Sequence, residues 1–223
     1  MTGRTMGIDP LVSVARGCLA LIAIAGLAGP VFAQEVRARQ NVEYRLIEPQ
    51  KPETGDAIEV IDFFWYGCPY CNELQPALED WIKHKPADVA LRRIPVILRD
   101  TWAPHARIYY TLELLGEVER LHLKVYHSYH VEELHMSKPD VMEQWAVKNG
   151  IERAKWLDAY HSPEVDAKIA RAQRLTKAYD VQGTPSLVVD GRYLTSSSMT
   201  PAVRGVIPVV EDLIRLARQN RGK

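Results

Sequence analysis

Apolar residues in this chain follow two rhythms, short unbroken runs and stretches in which they recur every three or four positions. Ala57 to Phe64 is an unbroken run rich in Ile, Val and Phe, bounded by Gly55 and Gly67 and too short for a free-standing helix. It predicts a buried strand interrupted by one charge, Asp62. Immediately after it Leu74, Leu78, Trp81 and Ile82 fall at helical spacing, predicting a helix that starts near Cys68 and runs to about His84. Val89 to Ile97 predicts a second strand, with Pro95 marking a bulge or an end. From Trp102 to Tyr160 the pattern is helical throughout, punctuated by Gly116, by Ser137 to Pro139 and by Gly150, so three or four short helices fit. Ser162-Pro163 then caps a helix carrying Val165, Ile169, Ala172, Leu175 and Tyr179 on one face and ending near Asp180. Ser186 to Val189, the Asp190-Gly191 turn and Tyr193-Leu194 read as a hairpin, and Val206 to Arg218 as an amphipathic helix. Residues 34 to 56 are a polar arm broken by Pro49, Pro52 and Gly55, with a short strand expected at Tyr44 to Ile47. The order is β, β, α, β, a helical block, α, β, β, α, which places the chain in the α/β class.

Composition narrows the function classes. The 223 residues, 47% of them apolar, suffice for one well-buried domain with a second small lobe. Basic and acidic residues balance at 28 each with no long run of one sign, so nothing marks a nucleic-acid groove or a polybasic membrane patch. Arg4 and Arg16 precede an apolar stretch from Cys18 to Leu27 that ends in Gly29, Pro30, Val31, Phe32 and Ala33. This pattern predicts a secretory signal peptide cleaved after Ala33, because the stretch is shorter than the roughly 20 residues of a bilayer span. An uncleaved N-terminal anchor would leave the downstream chemistry unchanged. Cleavage removes Cys18, leaving only Cys68 and Cys71, too few for a disulfide framework. An exported chain with one close pair uses it chemically.

The spacing of that pair carries the chemistry. A cysteine attacks only as its thiolate, and a helix N-terminus presents unpaired N–H groups and about half a positive charge. Cys68 falls at that position, and Pro69 suits the first helical turn because its missing N–H has no partner to lose. Cys71, one turn on, is placed to face inward, so the spacing predicts one exposed attacking sulfur and one shielded partner. A C-x-x-C also serves as half a zinc site or as a structural disulfide. Zinc needs two further ligands, however; no second cysteine pair exists, and His127, His130 and His135 lie in a polar helical stretch. No metal is expected, and no cofactor beyond a redox-active Cys68–Cys71 disulfide. Asp62 is costly inside an apolar strand unless partnered or protonated, which marks it as functional.

The segment Phe63-Phe64-Trp65-Tyr66-Gly67-Cys68-Pro69-Tyr70-Cys71, together with Gly183-Thr184-Pro185 before a strand, resembles the DsbA family of periplasmic disulfide oxidases over nearly all of residues 40 to 220. The resemblance implies a thioredoxin fold with an inserted all-helical domain: residues 34–101 and 161–223 would form the thioredoxin-like part and 102–160 the insertion. It implies a cis proline at Pro185 facing the cysteines, and Thr184 pairing its backbone with substrate. By the same resemblance Asp62 relays protons to the inner cysteine; Arg93, from the next strand, is its expected basic partner, and an exposed apolar surface that holds peptides is expected near Trp65 and Tyr66. The implied partners are reduced, unfolded exported proteins and a DsbB-like membrane quinone reductase that recharges the pair; the protein is expected to be a periplasmic monomer that binds no nucleic acid.

One position departs from the family. DsbA proteins usually carry His where this chain has Tyr70, and tyrosine brings no positive charge, so a less acidic Cys68 is expected than in a His-containing relative. The Pro-Tyr dipeptide also resembles glutaredoxins, from which chain length, export signal and helical insertion separate it. Two other functions stay open at this point, an isomerase or reductase of the same fold and a chaperone-like module that holds peptides without redox chemistry.

Overall fold

The structure, a computed structural model, describes residues 37–222; the signal segment and its cleavage point lie outside them. Five strands form one sheet in the order β1 (Arg45–Leu46), β5 (Tyr193–Ser196), β4 (Ser186–Val189), β2 (Ile58–Phe64) and β3 (Val89–Pro95). β2 is buried along its whole length because it is flanked on both edges, by β3 in parallel and by β4 antiparallel, and covered on both faces. Pro95 ends β3, consistent with its missing N–H, although the next amide, Val96, still donates to the Phe64 carbonyl at 2.8 Å. The hairpin β4–β5 turns through Asp190 and Gly191, both at positive φ.

Between β3 and β4 run α2 (Ala103–Leu114), α3 (Val118–His130), α4 (Pro139–Lys148), α5 (Arg153–Tyr160) and α6 (Pro163–Ala178). Three of the four breaks fall where the sequence puts a glycine or a capping serine, and the break before α4 falls at Pro139. Gly116 and Gly150 take positive φ after α2 and α4, and the Ser162 hydroxyl accepts the Val165 N–H at 3.2 Å to open α6. α1 (Pro69–His84) follows β2 directly, and α7 (Val206–Arg221) closes the chain.

The alternation of side chains along β2 and β4 divides the interior in two. Ile61, Phe63 and Val188 pack with α2 to α6, whereas Ile58, Val60, Leu187 and Val189 pack with α1 and α7. Asp62 shares the face of Ile58 and Val60. The next residue on that face, Phe64, already belongs to the other cluster, beside Tyr66, Tyr109 and Tyr126. Asp62 therefore sits at the seam where α1 and the helical block meet over the end of the central strand. The polar arm is pinned at its start, where the amides of Arg37 and Ala38 donate to Asp212 on α7 at 3.0 and 2.7 Å.

Candidate active site

The site is built where β2 turns into α1. Trp65 and Tyr66 leave the strand, and the Cys68 amide returns to the Trp65 carbonyl at 3.0 Å. Gly67 is required in this turn, because a Cβ there would lie 2.3 Å from the Trp65 ring. Cys68 is the N-cap of α1, with Pro69 at the first helical position and the sulfur accepting the Cys71 N–H at 3.4 Å. On its other side the Cys68 thiol donates to the Thr184 carbonyl at 3.2 Å, and the Thr184–Pro185 peptide is cis. The fold thus brings together Cys68, Pro69, Cys71, Thr184 and Pro185, residues more than a hundred positions apart in sequence.

The two sulfurs occupy different electrostatic environments. Hydrogen bonding from the Cys71 side chain, with smaller help from the Thr184 side chain and the Cys71 and Tyr70 amides, pulls the Cys68 thiol down to about 6 against the opposing effect of burial. Burial, reinforced by Cys68 and Asp62, pushes the Cys71 thiol well above its ordinary range. Cys68 is not the exposed sulfur that its position at a helix start predicts: it is 6% exposed and Cys71 1%. The cis-proline segment covers Cys68 from the side, a contact that local spacing does not announce.

Asp62 is 1% exposed and neither carboxylate oxygen has a hydrogen-bond partner. Burial is the main reason its carboxyl is pushed up to about 7, with Arg93 opposing and Glu79 and Cys68 adding to the rise. Arg93 is level with Asp62 on the neighbouring strand but is not its salt-bridge partner. Its guanidinium bonds Glu79 of α1 at 2.7 Å and reaches Glu119 of α3 at 3.8 Å. Asp62 feels it as a nearby charge, because the carboxylate reachable from the sheet edge claimed it first.

The two aromatic residues expected at a peptide-holding surface part company. Trp65 is partly exposed and stacks on Trp102 with ring centroids 4.0 Å apart and planes 4° from parallel. Tyr66 is fully buried: its hydroxyl meets His122 Nδ1 at 2.8 Å and its carbonyl meets His130 Nε2 at 2.8 Å, so it cannot contribute a surface. His130 is thereby engaged in packing, and among the described residues no group of three or more His, Cys, Asp or Glu side chains is placed to hold a metal ion. Tyr70 is 55% exposed and borders a cleft of about 930 Å³ that also takes in Thr184, Pro185, Met199 and the hydroxyls of Ser196 to Ser198. Sequence reasoning missed this wall, because the segment between β5 and α7 mixes small polar and apolar residues without a strand or helix periodicity. It also passed over Gln75, whose amide donates to the Cys71 carbonyl at 3.3 Å, and the buried pair His122 and Tyr126 of α3. The 3.6-residue rhythm marked α3 as core without saying that its inner face is partly polar.

Comparison with known proteins gives a consistent picture. Residues 59–206 match the model of the DSBA-like thioredoxin domain. The chain is 36% identical over 202 residues to the thiol:disulfide interchange protein DsbA of Bordetella parapertussis, covering 89% of this chain and 96% of that one. It is 33% identical to the protein of the same name from Pseudomonas aeruginosa, over 78% of this chain and 82% of that one. The crystal structure of Pseudomonas aeruginosa DsbA superposes with a TM-score of 0.79 at 28% identity, covering 83% of this chain and 97% of that one. The sheet order and the helices set between β3 and β4 are those of a thioredoxin fold with an all-helical insertion.

Proposed function

Because the chain belongs to the DsbA family and is a thiol:disulfide oxidoreductase, we propose that it works as a disulfide donor, with Cys68 as the sulfur that is attacked and Cys71 as the buried leaving group. A client thiolate attacks Cys68 of the Cys68–Cys71 disulfide; the S–S bond breaks, and Cys71 departs with the bonding electron pair. A sulfur in that environment must be protonated, and Asp62, with a carboxyl near neutrality, is the acid beneath it. The client's second thiolate then attacks the client sulfur of the mixed disulfide, and Cys68 leaves. At neutral pH Cys68 needs no proton to leave, since its thiol sits at about 6. The client loses two electrons and the enzyme ends reduced, with Cys68 as a thiolate and Cys71 as a thiol.

The observation that carries this direction is the stabilised Cys68 thiolate, which favours the reduced enzyme and so makes the disulfide a stronger oxidant. The Thr184 backbone beside the sulfur is positioned to align a client strand, and the cleft past Tyr70 and Pro185 gives that strand somewhere to run. Residues 102–160 act as the insertion that covers the end of β2. The clients are reduced, unfolded exported proteins met in the periplasm. A DsbB-like membrane quinone reductase returns the pair to the disulfide, and the protein acts as a monomer with no metal. None of the described helices is long and apolar enough to cross a membrane.

The deciding experiment equilibrates the purified protein with glutathione redox buffers and follows the Cys68–Cys71 pair by alkylation. The donor reading expects the pair to stay largely reduced in mildly oxidising buffer and its disulfide to speed cystine formation in a reduced, unfolded polypeptide. A pair that remains oxidised under those conditions would assign an isomerase or reductase, and full function in Cys68→Ser would assign a binding module.

A further inference from the structure

The residues Trp65 to Cys68 form a β-turn closed by the Cys68 amide on the Trp65 carbonyl at 3.0 Å, with Tyr66 and Gly67 at its central positions. The peptide between the central residues of a turn can rotate while both ends stay in place, which interconverts type I and type II turns. Type II needs φ near about +80° at the third residue, a conformation that glycine takes without steric cost. Gly67, required here by the Trp65 ring, therefore leaves this peptide free to turn over. It has not done so, since Gly67 is not among the residues at positive φ.

Two side chains of α3 account for that. The Tyr66 hydroxyl meets His122 Nδ1 at 2.8 Å, and its ring packs on those of Phe64 and Tyr126 with centroids 5.1 and 5.0 Å away, so the side chain is fixed. What remains free is the carbonyl that follows it. Among the described residues no backbone N–H bonds that carbonyl; its partner is His130 Nε2, at 2.8 Å. A carbonyl oxygen only accepts, so the hydrogen is on Nε2. His130 lies roughly two turns beyond His122 on α3, and its ring is 6.2 Å from that of Tyr126 with planes 19° apart.

We propose that His130 is a positioning residue of the exchange reaction: its Nε2–H holds the Tyr66–Gly67 peptide in one of its two orientations, and so keeps the Cys68 sulfur within reach of the N–H groups at the start of α1. The inference rests on Cys68 being the sulfur that is attacked, and names what holds it in place. Turning the peptide over would reset φ of Gly67, the residue before the cap, and with it the direction in which the chain enters Cys68. That sulfur accepts the Cys71 N–H at 3.4 Å and faces the Thr184 carbonyl at 3.2 Å, contacts made from two sides that tolerate little displacement. One hydrogen bond shifts such an equilibrium by roughly two- to tenfold, enough to hold most molecules in one form and to reveal the other when it is lost. The helical insertion thereby reaches the reactive turn through the last residue of α3.

The test separates the donor from the ring. His130→Phe keeps an aromatic ring against Tyr126 and Tyr129 but loses the N–H, whereas His130→Gln loses the ring and keeps a donor in the place of Nε2. His127→Phe, at an exposed site on the same helix, is the control. In the reduced proteins, Cys68 ionisation is followed by thiolate absorbance and the turn by the Gly67 amide resonance in NMR spectra. His130→Phe should raise the Cys68 midpoint by about half a unit, a roughly threefold loss of acidity, and shift or broaden the Gly67 amide. His130→Gln and His127→Phe should match the wild type in both. An unchanged midpoint in His130→Phe, a raised midpoint with an unaltered Gly67 amide, or equal damage in His130→Gln overturns the proposal. Should His130→Phe not fold, the wild type still decides: the His130 Nε2 proton should be protected from exchange with water, and a freely exchanging one, or a ring protonated only on Nδ1, overturns it. No client takes part, so these readings stand whichever way the protein passes electrons, and failure of the donor role would show in the glutathione equilibrium instead.

Discussion

The depressed Cys68 thiol ties redox state to stability, and the size of the effect can be worked out. A free thiol titrates near 8.5, whereas folded Cys68 sits at about 6. A group whose folded pKa is depressed gains stability as pH rises above the folded value, reaches its full contribution above the unfolded value, and loses it as pH falls through the folded one. Linkage gives the reduced form about 0.4 kcal/mol from this thiolate at about pH 6, about 1.4 at about pH 7 and about 2.6 at about pH 8. Cys68 keeps some contact with solvent, and screening roughly halves these figures. The oxidised form has no thiolate and gains nothing. Denaturant melts of the two forms should therefore show the stability of the reduced protein climbing relative to the oxidised one by about 1 kcal/mol between about pH 6 and about pH 8, equivalent to roughly 20 mV of oxidising power.

Asp62 runs the other way. Its folded pKa is raised, so it erodes stability between about pH 4 and about pH 7, but it does so in both redox states and drops out of the difference to first order. The window closes near about pH 8, where ionisation of Cys71 in the unfolded chain begins to oppose the trend, because burial keeps that thiol protonated in the fold. A stability difference that is flat across this range, or a thiolate absorbance that rises only near about pH 8.5, would refute the account of Cys68.

Three other substitutions probe the same site. Asp62→Asn should slow the first exchange step about tenfold by removing the acid under Cys71, yet stabilise the fold by about 1–3 kcal/mol above about pH 7; stopped-flow kinetics and denaturant melts read both, and unchanged kinetics would remove Asp62 from the mechanism. Tyr70→His places a cation beside the helix start and should lower the Cys68 thiol by about one unit, worth roughly 30 mV; a thiolate titration with an equal or higher midpoint contradicts the reading of Tyr70. Gly67→Ala drives a methyl into the Trp65 ring, so about 1–3 kcal/mol of stability and the Trp65–Trp102 stacking signal in near-ultraviolet dichroism should be lost together, and retention of both would show that the turn relaxes freely.

Much of this architecture was readable from local rhythm. β2 declared itself by an unbroken apolar run, α1 and α6 by three-four spacing and a proline-marked start, and the hairpin by Asp190-Gly191, because each signal is the direct cause of the element. The cysteine pair was legible for the same reason: the capping geometry that activates Cys68 lies within four consecutive residues. Local rhythm did not show contacts made across the fold. Only the family resemblance put Thr184–Pro185 opposite Cys68, and nothing announced that Tyr66 is drawn inward by two histidines of α3 or that Arg93 turns to Glu79 rather than Asp62. Pairing of this kind depends on which side chain reaches first, a question of three-dimensional distance that spacing along the chain does not encode.

The division of labour between the sulfurs follows from where α1 begins. A helix start supplies N–H donors to its cap residue only, so Cys68 receives them, while a residue three positions later is carried round one turn and into the core. Moving the start by one residue would give the donors to Pro69, which has no sulfur, and would rotate Cys71 by about 100° away from Asp62. The glycine before the cap and the proline after it hold that register, Gly67 by letting Trp65 fold back over the turn and Pro69 by accepting only the first helical position. Thiol acidity, access and proton supply are in this way set together by one boundary between strand and helix.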